Sequence, residues 1–190
     1  ESVFQPAQAL SEVSHAWDRD IVPQLTEYIR VPAKSPMFDP QWAEHGYIDT
    51  VVPNAAAWVE AQKIDGLRLE VIRLEGRTPV LFFEVPATRG SGPAEARAVS
   101  AQTVLMYGHL DKQPEFTGWR SALGPWTPKY EGGKLDGTGG ADVAHAVYPS
   151  NPPLSALQTP HVAPPRPLGP HASGAASRRL GVAADHDRDA

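Results

Sequence analysis

Apolar residues near the start of the chain recur with the period of a helix. Over about residues 10–30 they are spaced three and four apart, which predicts one amphipathic helix. Pro23 is the candidate position for a kink in it, and the prolines at positions 32 and 36 end it. The residues that define the stripe are Val13, Trp17, Ile21, Leu25, Tyr28 and Ile29.

A second helical stripe follows a loop that extends to about Tyr47. We expect this helix to end near Gly66, because glycine readily adopts the left-handed conformation that closes a helix. The apolar residues of the stripe are Val51, Val52, Ala55, Ala56 and Val59.

The pattern then changes to that of β-strands. Leu67, Leu69 and Val71 alternate with polar residues, residues 80–85 are rich in strand formers, and residues 103–107 form a short apolar run. Such a run is typical of a strand in the interior of a sheet. Three strands after two helices predict an α/β fold, with the helices packed on a mixed sheet. Residues 87–100, rich in Gly, Ala, Pro, Arg and Ser, are expected to form a surface loop.

The composition changes sharply after Tyr148. Residues 149–190 contain no Phe, Trp, Tyr, Ile, Met, Lys or Glu, and eight of the 20 prolines lie between positions 149 and 170. This segment cannot bury enough apolar surface to offset the entropy lost on ordering. The sequence therefore predicts one domain over residues 1–148 and a disordered Pro/Ala/Arg-rich tail over residues 149–190. Residues 164–167 of the tail are either a polyproline II ligand or proline-rich filler.

The overall composition narrows the function. The net charge of −5 argues against a nucleic-acid surface, which needs clustered Lys and Arg. No apolar run approaches the ~20 residues of a membrane-spanning helix, and residues 1–10 lack the pattern of a signal peptide. We therefore expect a cytoplasmic protein that binds neither nucleic acid nor membrane. The chain has no cysteine, so any metal would be held by His, Asp or Glu.

The third predicted strand leads into a candidate site. It ends at Tyr107 and is followed by Gly108, His109, Leu110 and Asp111. His109 can bind zinc through one ring nitrogen while Asp111 accepts a hydrogen bond from the other. A His-x-Asp triplet also arises often by chance, and taken alone it is explained first by a structural His–Asp hydrogen bond.

A glycine-rich segment, residues 132–142, is the second candidate element. Its glycines permit a tight backbone path, and it ends in Asp142, whose carboxylate can bridge two cations. A glycine-rich turn with a solvated aspartate is the alternative.

Together the two elements resemble the two-zinc metallopeptidases, the family of bacterial dipeptidases, carnosinases, acetylornithine deacetylases and succinyl-diaminopimelate desuccinylases. In that family a strand ends in G-H-x-D, and Q-P or V-P, a Trp-rich segment and K-L-Y-G-R-G-x-x-D-D follow. The helix-to-loop segment at residues 28–36 is also similar, so the resemblance covers about residues 10–142. The matching residues are Gly108–Asp111, Gln113, Pro114, Trp119, Trp126–Pro128 and residues 134–142.

The resemblance implies a hydrolase of peptide or N-acyl amide bonds that uses two zinc ions. It makes His109 a zinc ligand and Asp142 the carboxylate that bridges both metals. Asp111 becomes the catalytic residue that holds His109 in place. The implied substrates are small peptides or N-acyl amino acids.

The sequence also departs from the family pattern. The family's proton-relaying Glu lies downstream, but no Glu follows Glu131 here. Asp136, Thr138 and Val143 replace the usual Tyr, Arg and second Asp. We therefore expect a truncated or frame-shifted amino-terminal part of the catalytic domain, inactive alone and binding zinc weakly or not at all. The alternative is a non-catalytic remnant or an interaction protein with a proline-rich tail.

The comparison with the family pattern leads to two further expectations. The family's dimerising lid domain is not part of this sequence, so we expect a monomer or a nonspecific aggregate. No family motif surrounds the later histidines, which are expected to be solvated: His145, His161, His171 and His186.

Overall fold

The computed structural model describes residues 6–86, 102–140, 147–148 and 176–183. Helices α1 (Pro6–Ala16), α2 (Val22–Arg30), α3 (Trp42–His45) and α4 (Ile48–Ala61) come first, with a π-helical turn at Trp17–Ile21 between α1 and α2. Six strands follow: β1 (Arg68–Ile72), β2 (Val80–Val85), β3 (Gln102–Gly108), β4 (Lys129–Glu131), β5 (Lys134–Asp136) and β6 (Ala176–Ala183). The predicted α/β fold is confirmed.

The first predicted helix is helical throughout, but its hydrogen bonding changes in the middle. The N–H of Val22 donates to the carbonyl of Trp17, five residues back, which is the spacing of a π-helix. Pro23, which has no N–H to donate, lies in the first turn of α2. The irregularity expected at Pro23 is thus a π-helical turn that ends two residues before it.

The second predicted helix, α4, ends earlier than expected. Its last residue is Ala61, and the left-handed residue closest to that end is Lys63, with φ 52°. Gly66 also has a positive φ, 71°, but it lies in the turn that leads into β1. A Cβ at Gly66 would lie 2.8 Å from the ring of Pro86, so the close approach of the chain after β2 requires glycine there. The loop expected before α4 contains the one-turn helix α3.

Four of the strands form one mixed sheet, as predicted. Its strand order is β1-β2-β6-β3, in which β2 pairs antiparallel with both β1 and β6, while β3 and β6 run parallel. Strands β4 and β5 form a separate antiparallel hairpin.

Strand β3 is not in the interior of the sheet, so that prediction was wrong. Among the described strands it is the last in the order, and Leu105 and Tyr107 are 72% and 61% exposed. A continuous apolar run is compatible with a strand in the interior of a sheet or at its edge, because the run shows that the residues are apolar and not which strands lie beside them.

The prediction of a disordered tail was wrong for residues 176–183, which form β6 between β2 and β3. A central strand position needs a backbone donor and acceptor at each residue, and these eight residues contain no proline. The remaining tail residues, like the loop predicted at residues 87–100, lie outside the described residues.

The core lies between α2, α4 and the strands β1 and β2. Val147 and Tyr148, with exposures of 0% and 2%, belong to this core, although they come late in the chain. None of the described helices is long and apolar enough to cross a membrane. The larger buried core residues include Ile21, Leu25, Ile29, Ile48, Val52, Val59, Leu81 and Phe83.

We predict that Phe83→Leu lowers the free energy of unfolding by about 1–2 kcal/mol, because Phe83 is fully buried and leucine leaves part of its volume empty. Urea denaturation measures the change. Phe116 is 64% exposed, so Phe116→Leu is the matched control and should stay within about 0.5 kcal/mol of the unmodified protein. Equal losses in the two variants would contradict the position of the core.

Candidate metal site

His109 lies immediately after the carboxyl end of β3. Its Nδ1 is 2.8 Å from Oδ1 of Asp111 and 3.1 Å from the carbonyl oxygen of the same residue. The Asp111 side chain is 2% exposed and that of His109 is 27% exposed. Because a carboxylate can only accept, the proton of the neutral ring is assigned to Nδ1 and the lone pair to Nε2. This is the tautomer in which a histidine binds a metal through Nε2.

The turn formed by residues 109–112, the His109 turn, is tied to helix α2 through Tyr28. The hydroxyl of Tyr28 donates to the carbonyl of Leu110 over 3.0 Å. Leu110 and Tyr28 are both buried, with exposures of 0% and 3%. A buried hydrogen bond therefore fixes the residue between His109 and Asp111.

Lys112, the next residue, is 1% exposed and points at the carboxyl end of α2. Its Nζ donates to the carbonyls of Tyr28 and Val31, each at 2.6 Å, and to that of Ile29 at 3.3 Å. It also lies 4.0 Å from the centre of the Tyr28 ring. The last carbonyls of a helix lack partners within the helix and carry partial negative charge, so a buried ammonium is well matched to them.

Sequence reasoning missed Lys112. The one signal present was its position directly after His-x-Asp at the end of an apolar strand, where a long charged side chain needs a buried partner. Nothing in the sequence identifies that partner, because Lys112 and Tyr28 are 84 residues apart.

The backbone of Lys112 joins the connecting segment, residues 31–35, which follows α2. Its N–H donates to the carbonyl of Ala33 over 2.8 Å, and its carbonyl accepts from the N–H of Ser35 over 3.0 Å. The side chain of Lys34 pairs with Glu115 at 3.2 Å. The His109 turn and the connecting segment therefore lie side by side.

The glycine segment, residues 137–140, packs against the same place. A Cβ at Gly137, where φ is 149°, would lie 2.5 Å from Cγ2 of Ile29. A Cβ at Gly139 would lie 3.2 Å from Cγ of Lys112. The glycines are thus required by close contact with α2 and Lys112, in addition to the tight backbone path that the sequence suggested.

Thr138 lies within the glycine segment and is 7% exposed. Its N–H donates to the carbonyl of Pro125 over 2.9 Å. Its hydroxyl is buried and has no hydrogen-bond partner in the described part of the protein. The glycine segment therefore contains a buried hydroxyl for which none of the described residues provides a hydrogen-bond partner.

Asp142 itself lies outside the described residues, so its predicted approach to His109 stays a prediction. The same holds for the four late histidines. Within the described ranges, no three His, Cys, Asp or Glu residues are grouped so that they could hold a metal ion. The donor chemistry of His109 and Asp111 fits one zinc ligand with its hydrogen-bonded partner, and the described part supplies no complete ligand set.

The fold is shared with known dipeptidases. Human carnosine dipeptidase 1 superposes on 94% of this chain with a TM-score of 0.61 and 20% sequence identity. The Saccharomyces cerevisiae di-peptidase Dug1p superposes on 93% with the same TM-score and 16% identity. The chain spans about a third of each, with 34% of either structure covered. No protein-family model and no curated protein sequence matches the chain.

We predict that Gly137→Ala lowers the free energy of unfolding by about 2–4 kcal/mol, because the new methyl group overlaps Ile29 in a backbone conformation that alanine rarely adopts. Gly133 is the matched control, since its φ is also positive, 76°, and nothing lies within 4 Å of its Cβ position. Gly133→Ala should cost about 1 kcal/mol. Denaturation that gave equal costs would show that the glycine segment does not pack on α2.

The stability of the protein should depend on pH through Lys112. Burial lowers the pKa of Lys112 from 10.5 to about 7. Between these two values the unfolded chain binds more protons than the folded one, so the free energy of unfolding rises with pH, by at most about 1.4 kcal/mol per unit. The penalty for burying the charge is complete below the folded-state pKa and is relieved as the pH rises toward 10.5. Lys112→Met abolishes this rise.

Urea denaturation between about pH 7 and pH 9 should therefore show the unmodified protein gaining more than about 1 kcal/mol relative to Lys112→Met. Lys129, whose side chain is 45% exposed, provides the control, and Lys129→Met should follow the unmodified protein. If the free energy of unfolding changed with pH in the same way for Lys112→Met and the unmodified protein, the burial of Lys112 would be contradicted.

Proposed function

We propose that this chain contributes the amino-terminal part of a metal-dependent hydrolase of peptide or N-acyl amide bonds. The observation that carries the proposal is the hydrogen-bonded pair His109–Asp111 at the carboxyl end of β3. Strand ends of this kind are where α/β sheets place their ligands. The fold shared with two dipeptidases supports the same reading.

Each candidate residue has a defined task in this proposal. His109 binds zinc through Nε2, and Asp111 accepts the Nδ1 proton, which fixes the ring orientation and raises the basicity of the ligand. Asp142 would hold the zinc ions as the bridging carboxylate that the resemblance implies. Zinc, when bound, supplies Lewis-acid polarisation of the amide carbonyl and a water of lowered pKa. The proposed substrates are dipeptides or N-acyl amino acids, in line with the names of the two similar proteins.

We further propose that a polypeptide of this sequence binds zinc weakly and does not turn over substrate by itself. Zinc sites use three or four protein ligands, whereas only His109 and Asp142 match the resemblance. A general base is also needed to accept the proton of the attacking water, and no Glu follows Glu131 in the sequence. A cytoplasmic location and a monomeric or nonspecifically aggregated state complete the proposal.

Calorimetric titration with zinc at neutral pH tests the metal assignment. We expect a dissociation constant no tighter than about 1 μM, because so few ligands converge. His109→Ala should abolish the binding heat. His45 offers a matched control, since its Nδ1 is 2.7 Å from the buried carboxylate of Asp39 in a pair that belongs to no candidate site. His45→Ala should therefore leave the binding heat unchanged.

An amine-release assay with a dipeptide tests the second part, and we expect no turnover above background. Loss of binding in both histidine variants alike would remove the special role of His109. Tight binding together with measurable turnover would mean that further ligands exist, and His145→Ala would then be examined first. An unmodified protein that binds no zinc would favour the alternative of a non-catalytic remnant or interaction protein.

A further inference from the structure

The side chain of Lys112 contacts several segments of the candidate site. Its ammonium donates hydrogen bonds to two carbonyls at the carboxyl end of α2 and to the carbonyl of Val31, the first residue of the connecting segment. Its methylene groups lie against Gly139, and Nζ lies 5.2 Å from the ring centre of Trp126. One side chain therefore contacts four separate parts of the chain.

The contacts with the helix end favour a cation that can donate several hydrogen bonds. Three carbonyl oxygens, those of Tyr28, Ile29 and Val31, lie within 3.3 Å of Nζ, and an ammonium has three hydrogens to donate. The negative end of the helix dipole and the face of the Tyr28 ring both favour a positive charge at this point. An apolar side chain of the same length would remove one donor from each of these carbonyls, and those of Tyr28 and Val31 would keep only the backbone N–H groups of Val31 and Ala33.

These contacts act directly on the His109 turn, because Lys112 is the neighbour of Asp111 in the chain. Tyr28 holds the carbonyl of Leu110, and Lys112 in turn holds the carbonyl of Tyr28. The backbone of Lys112 is fixed on both sides by Ala33 and Ser35. The carboxylate that orients His109 thus lies between two residues whose backbones are anchored to α2 and to the connecting segment.

We propose that Lys112 is a positioning residue of the candidate metal site. Its buried ammonium sets the distance between the end of α2, the His109 turn and the glycine segment. Asp111 and His109 are thereby held in one arrangement before any metal binds. This inference rests on the proposed function for its zinc readout, but its structural readout needs no metal.

Chemical rescue provides the test. Lys112→Ala deletes three methylene carbons and the ammonium, which are the atoms that propylammonium supplies. At about pH 6.5, where the side chain of Lys112 is mostly charged, we expect Lys112→Ala to exchange the amides of residues 109–112 at least about 10-fold faster than the unmodified protein. We also expect zinc to bind at least about 10-fold more weakly. Propylammonium at about 20 mM should reverse both changes.

Three control variants separate positioning from simple destabilisation. Lys112→Met keeps the volume against Gly139 but has no ammonium, so it should show both losses without rescue. Phe83→Leu lowers stability at a core position in β2 that is not one of the hydrogen-bond partners of the His109 turn, and it should leave zinc affinity and the exchange of residues 109–112 relative to the other amides unchanged. Lys129→Ala removes an exposed lysine and should behave like the unmodified protein.

The outcomes are decisive in either direction. Unchanged exchange at residues 109–112 in folded Lys112→Ala would overturn the inference, as would losses that propylammonium does not reverse. If Lys112→Ala fails to fold, Lys112→Met answers the question, because unaltered exchange in that variant would equally overturn the inference. An unmodified protein that binds no zinc would remove the proposed function, whereas the exchange measurement would still decide the role of Lys112.

Discussion

The arrangement around the candidate site depends on one electrostatic constraint, the burial of the carboxyl end of α2. A helix ends with carbonyls that have no partner within the helix, and leaving them buried without donors costs about 1–3 kcal/mol for each group. Water satisfies such groups at a surface. Here the ammonium of Lys112 takes the place of water, at 2.6 Å from the carbonyls of Tyr28 and Val31, and adds to the backbone N–H groups of Val31 and Ala33 that these carbonyls also accept from. The side chain that stabilises the helix end belongs to the turn that carries His109, so one interaction fixes both.

The glycine segment follows from the same constraint. Once the methylene groups of Lys112 and the side chain of Ile29 fill the space at the end of α2, the chain at residues 137–140 has room for little more than backbone. The glycines at 137 and 139 are therefore a consequence of packing against the helix end. The close-packed interior makes this coupling strong, since a change of one methyl group is felt by its neighbours.

Local sequence patterns predicted which segments form helices and strands, but they did not predict which distant segments contact one another. The stripe from Val13 to Ile29 predicted the first helix because helical periodicity is a property of adjacent residues. The position of β3 at the end of the described sheet was not predictable, since strand order is decided by distant segments such as residues 176–183. The pairing of His109 with Asp111 needed only two residues of separation, whereas the bond between Lys112 and Tyr28 closes 84 residues and leaves no local trace.

The fold and a metal site also differ in how exactly distant residues must be placed. Two dipeptidases superpose on more than nine-tenths of the chain at 16–20% identity, so the backbone path is maintained by many interchangeable apolar contacts. A metal site has no such redundancy, because each ligand must come within about 2.0–2.2 Å of the ion. The one part of this geometry that lies within a short stretch of chain is the pair His109–Asp111, in which the carboxylate lies 2.8 Å from Nδ1 of the ring. A ligand from a distant segment reaches the required distance from the ion only if the packing between the segments is well defined. At the candidate site Lys112 connects α2, the glycine segment and the His109 turn.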